Sequence, residues 1–102
     1  MRRLTTIAQV RAAVANSQAA GRTIALVPTM GALHDGHLSL VQRAAEVADD
    51  VVVSIFVNPR QFDQADDLAA YPRDLEDDER LLAGLGAAAP AIVYAPDLDQ
   101  VY

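Results

Sequence analysis

The chain has 102 residues, of which 52% are apolar, and its formal net charge at pH 7 is −6. This length supports one hydrophobic core, and this apolar fraction is typical of a folded chain rather than a disordered one. The acidic balance argues against nucleic acids and anionic membranes as partners. Cysteine is absent, which excludes disulfides and thiolate metal sites. Neither a membrane-helix run nor a signal-peptide pattern is present, so we expect a soluble cytoplasmic protein.

The first part of the chain predicts a helix followed by a strand. Thr6 and Gln9 have the spacing of a capping box at the start of a helix. Gly21 is well placed to end that helix, because glycine readily adopts the left-handed conformation found at helix ends. Residues 23–27 then predict a short buried strand that stops before Pro28.

A second helix and a second strand follow. The helix is predicted to begin at His34 or Asp35. Its apolar residues share one face at helical spacing: Leu38, Val41, Ala45 and Ala48. Residues 51–57 form a nearly unbroken β-branched run, which is typical of a parallel strand covered on both sides, and Asn58 with Pro59 ends it.

The last part of the chain predicts a polar connection over 61–73, with a short helix around 67–70, and then a third helix and a third strand. Asp74 is the expected N-cap of that helix. The inner side of the helix carries three leucines: Leu75, Leu82 and Leu85. A strand over 91–94 follows, and a turn or a short helix begins at Pro96 and Asp97. This order, a helix and then strand–helix–strand–helix–strand, predicts an α/β fold with a parallel sheet flanked by helices.

Two irregular segments, 28–37 and 58–62, each follow a predicted strand directly. The carboxyl ends of parallel strands lie at one edge of the sheet, and ligands of such sheets bind in the crevice there. We therefore expect these two segments to be neighbours in space.

His34 and His37 are the strongest candidates for chemistry. Their spacing places both rings on one face at a helix start, where unpaired N–H groups and the helix dipole favour a phosphate. Gly36 leaves room for a nucleotide to approach the backbone, and Gly31 can adopt positive φ in the preceding loop. All eight basic residues of the chain are arginines, so lysine is not available to contact phosphates.

Other interpretations of these residues exist. The histidines can be surface residues at an ordinary helix start, although the glycines and the preceding strand favour function. A metal site is a weaker alternative because no third ligand is near in sequence. The acidic run 74–79 is better explained by helix capping and a solvated face than by metal binding.

Three residues beyond the second strand are further candidates. Asn58 either forms an Asx-turn before proline or hydrogen-bonds a substrate hydroxyl or carboxylate. Gln61 is less easily explained by turn chemistry. Tyr71 either covers the crevice or packs its own loop. Met30, in the first segment, is a loop-packing residue unless its backbone N–H is the functional group.

Three strings together resemble a known family. LVPTMGALHDGHLSLV begins at Leu26, VVVSIFVNPRQF at Val51 and DLAAYPRDLEDD at Asp67. The HDGH portion resembles the HxGH signature of the nucleotidyltransferase superfamily. In this order and spacing the three strings resemble the pantothenate synthetases, and the resemblance covers essentially the whole chain.

The resemblance implies a Rossmann-like, HxGH nucleotidyltransferase-type domain in a cytoplasmic, homodimeric enzyme that uses ATP and Mg²⁺. The implied reaction has two steps. The pantoate carboxylate attacks the α-phosphate of ATP to give pantoyl adenylate and pyrophosphate, and the β-alanine amine then attacks the adenylate to give pantothenate and AMP.

The resemblance also implies roles for particular residues. His34 and His37 match the catalytic histidine pair at the ATP phosphates. The wider ATP-binding set comprises Pro28, Thr29, Met30, His34, Gly36 and His37. The set expected to bind pantoate or β-alanine comprises Met30, Asn58, Gln61 and Tyr71. No protein residue is assigned to a metal.

The chain is shorter than members of this family, whose later segments supply a lysine near the phosphates and a Ser-Arg motif at ATP. We therefore expect residues 1–102 to be the N-terminal nucleotide- and pantoate-binding part, without the C-terminal domain and inactive alone. One alternative is a non-catalytic nucleotide- or pantoate-binding fragment. Another is a different transferase of the superfamily, although the VSIFVNPRQF segment argues against a phosphorylated substrate.

Overall fold

The computed structural model describes residues 1–56 and 75–96. Within them lie four strands and three helices, in the order β1 Arg2–Leu4, α1 Ile7–Ala19, β2 Ile24–Thr29, α2 Asp35–Val47, β3 Asp50–Ile55, α3 over the described residues 75–83, a 3₁₀ turn Gly86–Ala88, and β4 Ile92–Tyr94. All strand pairs are parallel, and the order across the sheet is β1-β4-β3-β2. The predicted α/β class with a parallel sheet is confirmed.

Helix α1 begins and ends as its sequence predicts. The Thr6 hydroxyl accepts a hydrogen bond from the Gln9 N–H at 3.2 Å, and the Gln9 side chain accepts one from the Thr6 N–H at 3.2 Å. At the other end Gly21 has a φ of 77°, a left-handed conformation that favours glycine. The capping box and the glycine stop are both confirmed.

Strand β2 extends beyond its predicted end at Val27 and includes Pro28 and Thr29. The carbonyls of Thr23 and Thr29 accept hydrogen bonds from the N–H groups of Asp50 and Phe56, at the two ends of β3, at 2.9 and 3.0 Å. Backbone groups alternate in direction along a strand, so Pro28 points away from β3, toward the sheet edge that β2 forms among the described strands. Because this position does not face β3, the missing N–H of Pro28 removes no hydrogen bond between β2 and β3, and proline is tolerated there.

Strand β1 is not among the elements that the sequence predicts. The Arg2 N–H donates to the Ala91 carbonyl at 2.9 Å, and the Ala95 N–H donates to the Leu4 carbonyl at 2.9 Å. Three residues are too few to display a strand period, and the partner strand β4 lies near the other end of the chain. The first element is therefore a strand rather than a helix.

The helices cover both faces of the sheet. On one face α1 places Val10 and Ala13 against Leu4, Val52 and Ile92. On the opposite face α2 and α3 contribute three buried residues, Val41, Ala44 and Leu82, which pack on Val27, Val51, Val53, Ile55 and Val93. The prediction that β3 is covered on both sides is confirmed. No helix within residues 1–56 and 75–96 is long and apolar enough to cross a membrane.

Asp50 is expected to make stability depend on acidic pH. Its carboxylate accepts two hydrogen bonds from Arg22, at 2.9 and 3.0 Å, and a further one from the Ser17 hydroxyl. The Arg22 bond first, and then the Ser17 bond, lower the pKa of Asp50 from its ordinary value. The ionised form therefore contributes stability above the unfolded pKa of about 3.9, and this contribution is lost as pH falls through the lower folded value.

Asp50→Asn is expected to lower the free energy of unfolding at pH 7, and this effect is expected to shrink as pH falls through the lowered folded pKa of Asp50, measured by urea denaturation. Glu46→Gln is the control, because Glu46 pairs with Arg43 on an exposed helix surface. An Asp50 carboxyl that titrates at its ordinary pKa in a carbon NMR titration of the folded chain would contradict this prediction.

Candidate functional site

The carboxyl ends of β2 and β3 form a cleft of about 280 Å³, lined by Pro28, Thr29, Met30, Ser54 and Phe56. The two strand ends therefore meet at one edge, as the parallel topology predicts. The segment 58–62, which is expected to join them, lies outside the described residues. A second cavity, of about 200 Å³, lies between α1 and the opposite ends of the strands, where Ile24, Asp50 and Ile92 begin β2, β3 and β4.

Thr29 ties the two strand ends to the loop that follows β2. Its hydroxyl donates to the Ser54 carbonyl at 2.9 Å and accepts from the Gly31 N–H at 3.3 Å. The residue is 9% exposed, whereas Met30 beside it is 60% exposed. Thr29 thus shapes the wall of the cleft, and Met30 is the accessible residue at its rim.

The loop from β2 to α2 turns through two residues of positive φ, Gly31 at 89° and Ala32 at 54°. The Asp78 carboxylate of α3 holds this loop: it accepts from the Ala32 N–H at 3.0 Å and from the Leu33 N–H at 2.8 Å. Asp78 is only 2% exposed. The interpretation of the acidic run as a solvated face is therefore wrong for Asp78, because its carboxylate has two backbone donors inside the fold.

Among the described residues, Asp78 helps to form the site and was not predicted from the sequence. A signal was available, because Leu75, Asp78, Leu82 and Leu85 recur at helical spacing and place the aspartate within the apolar stripe of α3. A carboxylate in a buried stripe needs donors nearby, and here the loop of the candidate site supplies them.

His34 and His37 cap the start of α2 reciprocally. The His34 Nδ1 accepts from the Gly36 N–H at 3.1 Å, and the His37 Nδ1 accepts from the His34 N–H at 3.2 Å. The ring centroids are 4.2 Å apart. A ring nitrogen that accepts a hydrogen bond carries no proton, so each neutral ring has its proton on Nε2. Both imidazoles therefore offer an Nε2–H donor directed away from the helix backbone.

The same helix start provides a further donor. Within the part of the chain that the structure describes, the N–H group of Asp35, the first residue of α2, has no hydrogen-bond acceptor. Such an N–H group carries part of the positive end of the helix dipole. Together with the two imidazole donors it suits an anion with several oxygens, such as a phosphate.

The structure shows a packing role of Gly36 that the sequence did not predict. A Cβ at this position would lie 2.9 Å from Cε1 and 3.2 Å from Nδ1 of His34. The missing side chain therefore makes room for the His34 ring, which is what lets that ring cap the helix. Whether a nucleotide also approaches Gly36 stays a prediction.

Gly36→Ala is expected to displace the His34 ring from its capping position. The gain in helix propensity, up to about 1 kcal/mol, offsets the lost cap, which is worth about 0.5–2 kcal/mol, so we expect a small net change in thermal stability together with weaker binding of ATP. Calorimetric titration with ATP and a thermal melt of the same variant test the two parts. Unaltered ATP affinity in Gly36→Ala would contradict the role given to this glycine.

The predicted site residues fall into three groups. Pro28, Thr29 and Met30 line the cleft, and His34, Gly36 and His37 form the start of α2. Asn58, Gln61 and Tyr71 lie outside the described residues. Among residues 1–56 and 75–96, no three His, Asp or Glu side chains are grouped so that they could hold a metal ion.

Comparison with known proteins identifies the family. The sequence model described as pantoate-beta-alanine ligase matches residues 2–102. The chain belongs to the pantoate–β-alanine ligase family. The resemblance found in the three sequence strings is thereby confirmed.

Relatives in this family are similar over nearly the whole chain. The pantothenate synthetase of Roseobacter denitrificans is 56% identical over 99 residues, which are 97% of this chain and 34% of the relative. That of Nitrosococcus oceani is 53% identical over 102 residues, which are 100% of this chain and 35% of the relative. The chain thus spans about a third of the length of the curated relatives it matches.

Solved structures of the family have the same fold. The crystal structure of pantothenate synthetase from Thermus thermophilus aligns with a TM-score of 0.77 at 43% identity, over 100% of this chain and 34% of that one. The pantoate–β-alanine ligase of Francisella tularensis, complexed with beta-gamma ATP and β-alanine, aligns with a TM-score of 0.78 at 39% identity, over 100% of this chain and 38% of that one. The Rossmann-like α/β architecture is therefore shared with these enzymes.

Proposed function

We propose that the chain is the N-terminal nucleotide- and pantoate-binding part of a ligase that condenses pantoate with β-alanine at the expense of ATP. Family membership supports the reaction, and the Francisella relative supports ATP and β-alanine as ligands. The observation that carries the proposal is that His34 and His37 accept capping hydrogen bonds on Nδ1 at the N-terminus of α2, from which we infer a proton on Nε2 of each neutral ring. This activity is proposed for the assembled enzyme, because the chain spans about a third of its relatives.

The first step requires that pantoate and ATP are positioned for reaction and that negative charge on the phosphoryl oxygens is stabilised. The pantoate carboxylate is ionised at pH 7, so its attack on the α-phosphate of ATP needs no general base. One P–O bond to pantoate forms, the bond to pyrophosphate breaks, and negative charge on the phosphoryl oxygens has to be stabilised. His34 and His37 supply neutral donors for those oxygens, and the helix dipole adds a favourable field.

The second step transfers the acyl group of pantoyl adenylate to the β-alanine amine and releases AMP. In our proposal Gln61 and the Met30 backbone bind pantoate, and Asn58 and Tyr71 line the same cavity. Pro28, Thr29, Met30 and Gly36 complete the ATP-binding set. The exposure of Met30 at the rim of the cleft supports its assignment.

Mg²⁺ belongs to the proposal as a companion of ATP. Magnesium prefers phosphate oxygens and water as ligands and is commonly bound with the substrate rather than in a protein cage. It would supply further charge neutralisation at the phosphates. A cytoplasmic location and a homodimeric assembly are likewise proposed, on the basis of the family resemblance.

AMP release from ATP, pantoate and β-alanine tests the function, with each substrate omitted in turn as a control. Release that requires all three substrates supports the ligase and shows that these residues suffice, contrary to the expected inactivity alone. Binding of ATP or pantoate without AMP release is the result expected of an incomplete site, because this activity is proposed for the assembled enzyme. Failure to bind either ATP or pantoate would overturn the proposal for this chain.

A further inference from the structure

Asp78 is a buried carboxylate that the proposed reaction does not use. It lies on α3, 45 and 46 residues away in sequence from the two N–H groups that it accepts, and one of those hydrogen bonds is buried. Its neighbour one helical turn later is Leu82, which is fully buried in the core. The carboxylate is therefore held by a rigid part of the fold and not by a mobile surface.

The loop that Asp78 contacts needs such a restraint. Gly31 and Ala32 both have positive φ, and for alanine this conformation is unfavourable. The two oxygens of Asp78 accept the N–H groups of Ala32 and Leu33 separately, so each end of the carboxylate holds one backbone position of this turn. A carboxylate stabilises this backbone more strongly than a neutral acceptor would, because hydrogen bonds to an ionised acceptor are stronger.

The loop that Asp78 restrains is followed directly by His34 and His37, the proposed hydrogen-bond donors to a phosphate. Leu33 is 8% exposed and packs in the core, and the next residue is His34, the N-cap of α2. The N–H groups of four consecutive residues are all engaged: Gly31 by Thr29, Ala32 and Leu33 by Asp78, and His34 by His37. A shift of the Leu33 backbone would move the His34 N–H away from the His37 ring.

We propose that Asp78 is a positioning residue, which fixes the β2–α2 loop so that the His34 and His37 rings keep their reciprocal capping geometry and present Nε2–H toward a bound nucleotide phosphate. The nucleotide part rests on the proposed function. The ring-positioning part stands on the hydrogen bonds alone.

Asp78→Asn in the full chain tests the proposal. Asparagine has the same shape but replaces one acceptor oxygen with a donor that faces a backbone N–H. Asp77→Asn is the matched control, because Asp77 is adjacent, 68% exposed and paired only with Arg80 among the described residues. Nitrogen NMR of the imidazoles reports the protonated nitrogen of each ring, and calorimetry reports the Kd for ATP in the presence of Mg²⁺.

In Asp78→Asn we expect that the two imidazole rings no longer carry their proton on Nε2 alone. We also expect the Kd for ATP to rise roughly ten-fold or more. Asp77→Asn should match the wild type in both measurements. Asp78→Glu is expected to change the ring signals and the Kd for ATP as well. It keeps the negative charge, but its longer side chain moves the carboxylate out of register with the two N–H groups.

The outcomes separate this inference from the proposed function. Ring signals that are unchanged in Asp78→Asn would overturn the inference, even if the variant unfolds more readily. Altered ring signals in a chain that binds no ATP at all would uphold the positioning of the rings and count against the proposed function. Altered ring signals with unaltered ATP affinity would overturn the link between Asp78 and the nucleotide.

Discussion

Replacing His34 by threonine and His37 by glutamine together is expected to leave the fold stable and to abolish effective ATP use. The same chain already caps α1 with Thr6 and Gln9. There the Thr6 hydroxyl accepts the N–H of Gln9, the third helical residue, while His34 accepts that of Gly36, the second. The double variant is therefore expected to cap α2 in the manner of α1 and to remove the imidazole Nε2–H donors. We expect the free energy of unfolding to change by no more than about 1 kcal/mol.

The functional loss should be large. Removing one preorganised donor from a developing oxyanion typically lowers a rate by roughly 10²–10³-fold, so the loss of two donors is expected to lower adenylate formation by at least that factor. The measurements are ATP affinity of the chain by calorimetry, and pyrophosphate release from ATP and pantoate by the complete enzyme carrying the same two substitutions. His34→Ala and His37→Ala are companion variants, which lose capping as well as the donors. A double variant that binds ATP as the wild type does would contradict the role of the imidazoles.

Leu82→Ala is expected to have the largest effect on stability. Leu82 is 0% exposed and packs on the same face of the sheet as Val53 and Val93. Truncating a fully buried leucine leaves a cavity and typically costs about 2–5 kcal/mol. A domain of this size is stable by only about 5–15 kcal/mol, so a large part of its stability would be lost.

Leu81→Ala is the control for this prediction, because Leu81 is the preceding residue on α3 and is 43% exposed. The same atoms are removed, but from a side chain that already contacts solvent, so we expect a loss below about 1 kcal/mol. Urea denaturation of both variants gives the free energies. Equal losses in the two variants would show that α3 does not pack in solution as it does in this structure.

Features that depend on local chemistry were predictable from the residues themselves. The Thr6–Gln9 capping box, the positive φ of Gly21 and Gly31, and the buried strand β3 follow from neighbours within a few positions. The alternation of strands and helices is likewise a local pattern, and the parallel sheet follows from it. The convergence of the ends of β2 and β3 then required only the rule that parallel strands end at one edge.

Features that depend on distant partners were not predictable. Strand β1 forms because Arg2 and Leu4 pair with the edge of β4. Pro28 is accommodated in β2 because the side of the strand on which it lacks an N–H faces away from β3. The use of Gly36 to admit the His34 ring is a matter of side-chain packing that the spacing of the motif does not express.

The sequence by itself determined the fold class, the family resemblance and the placing of two histidines at a helix start. Only the tertiary structure decided how those histidines are held. Their geometry depends on Asp78, which reaches the loop from a helix that follows more than 40 residues later. The periodicity of a sequence indicates which face of a helix is buried. It does not indicate which backbone N–H groups stabilise a buried carboxylate, because these come from the β2–α2 loop, which reaches α3 only in the folded chain.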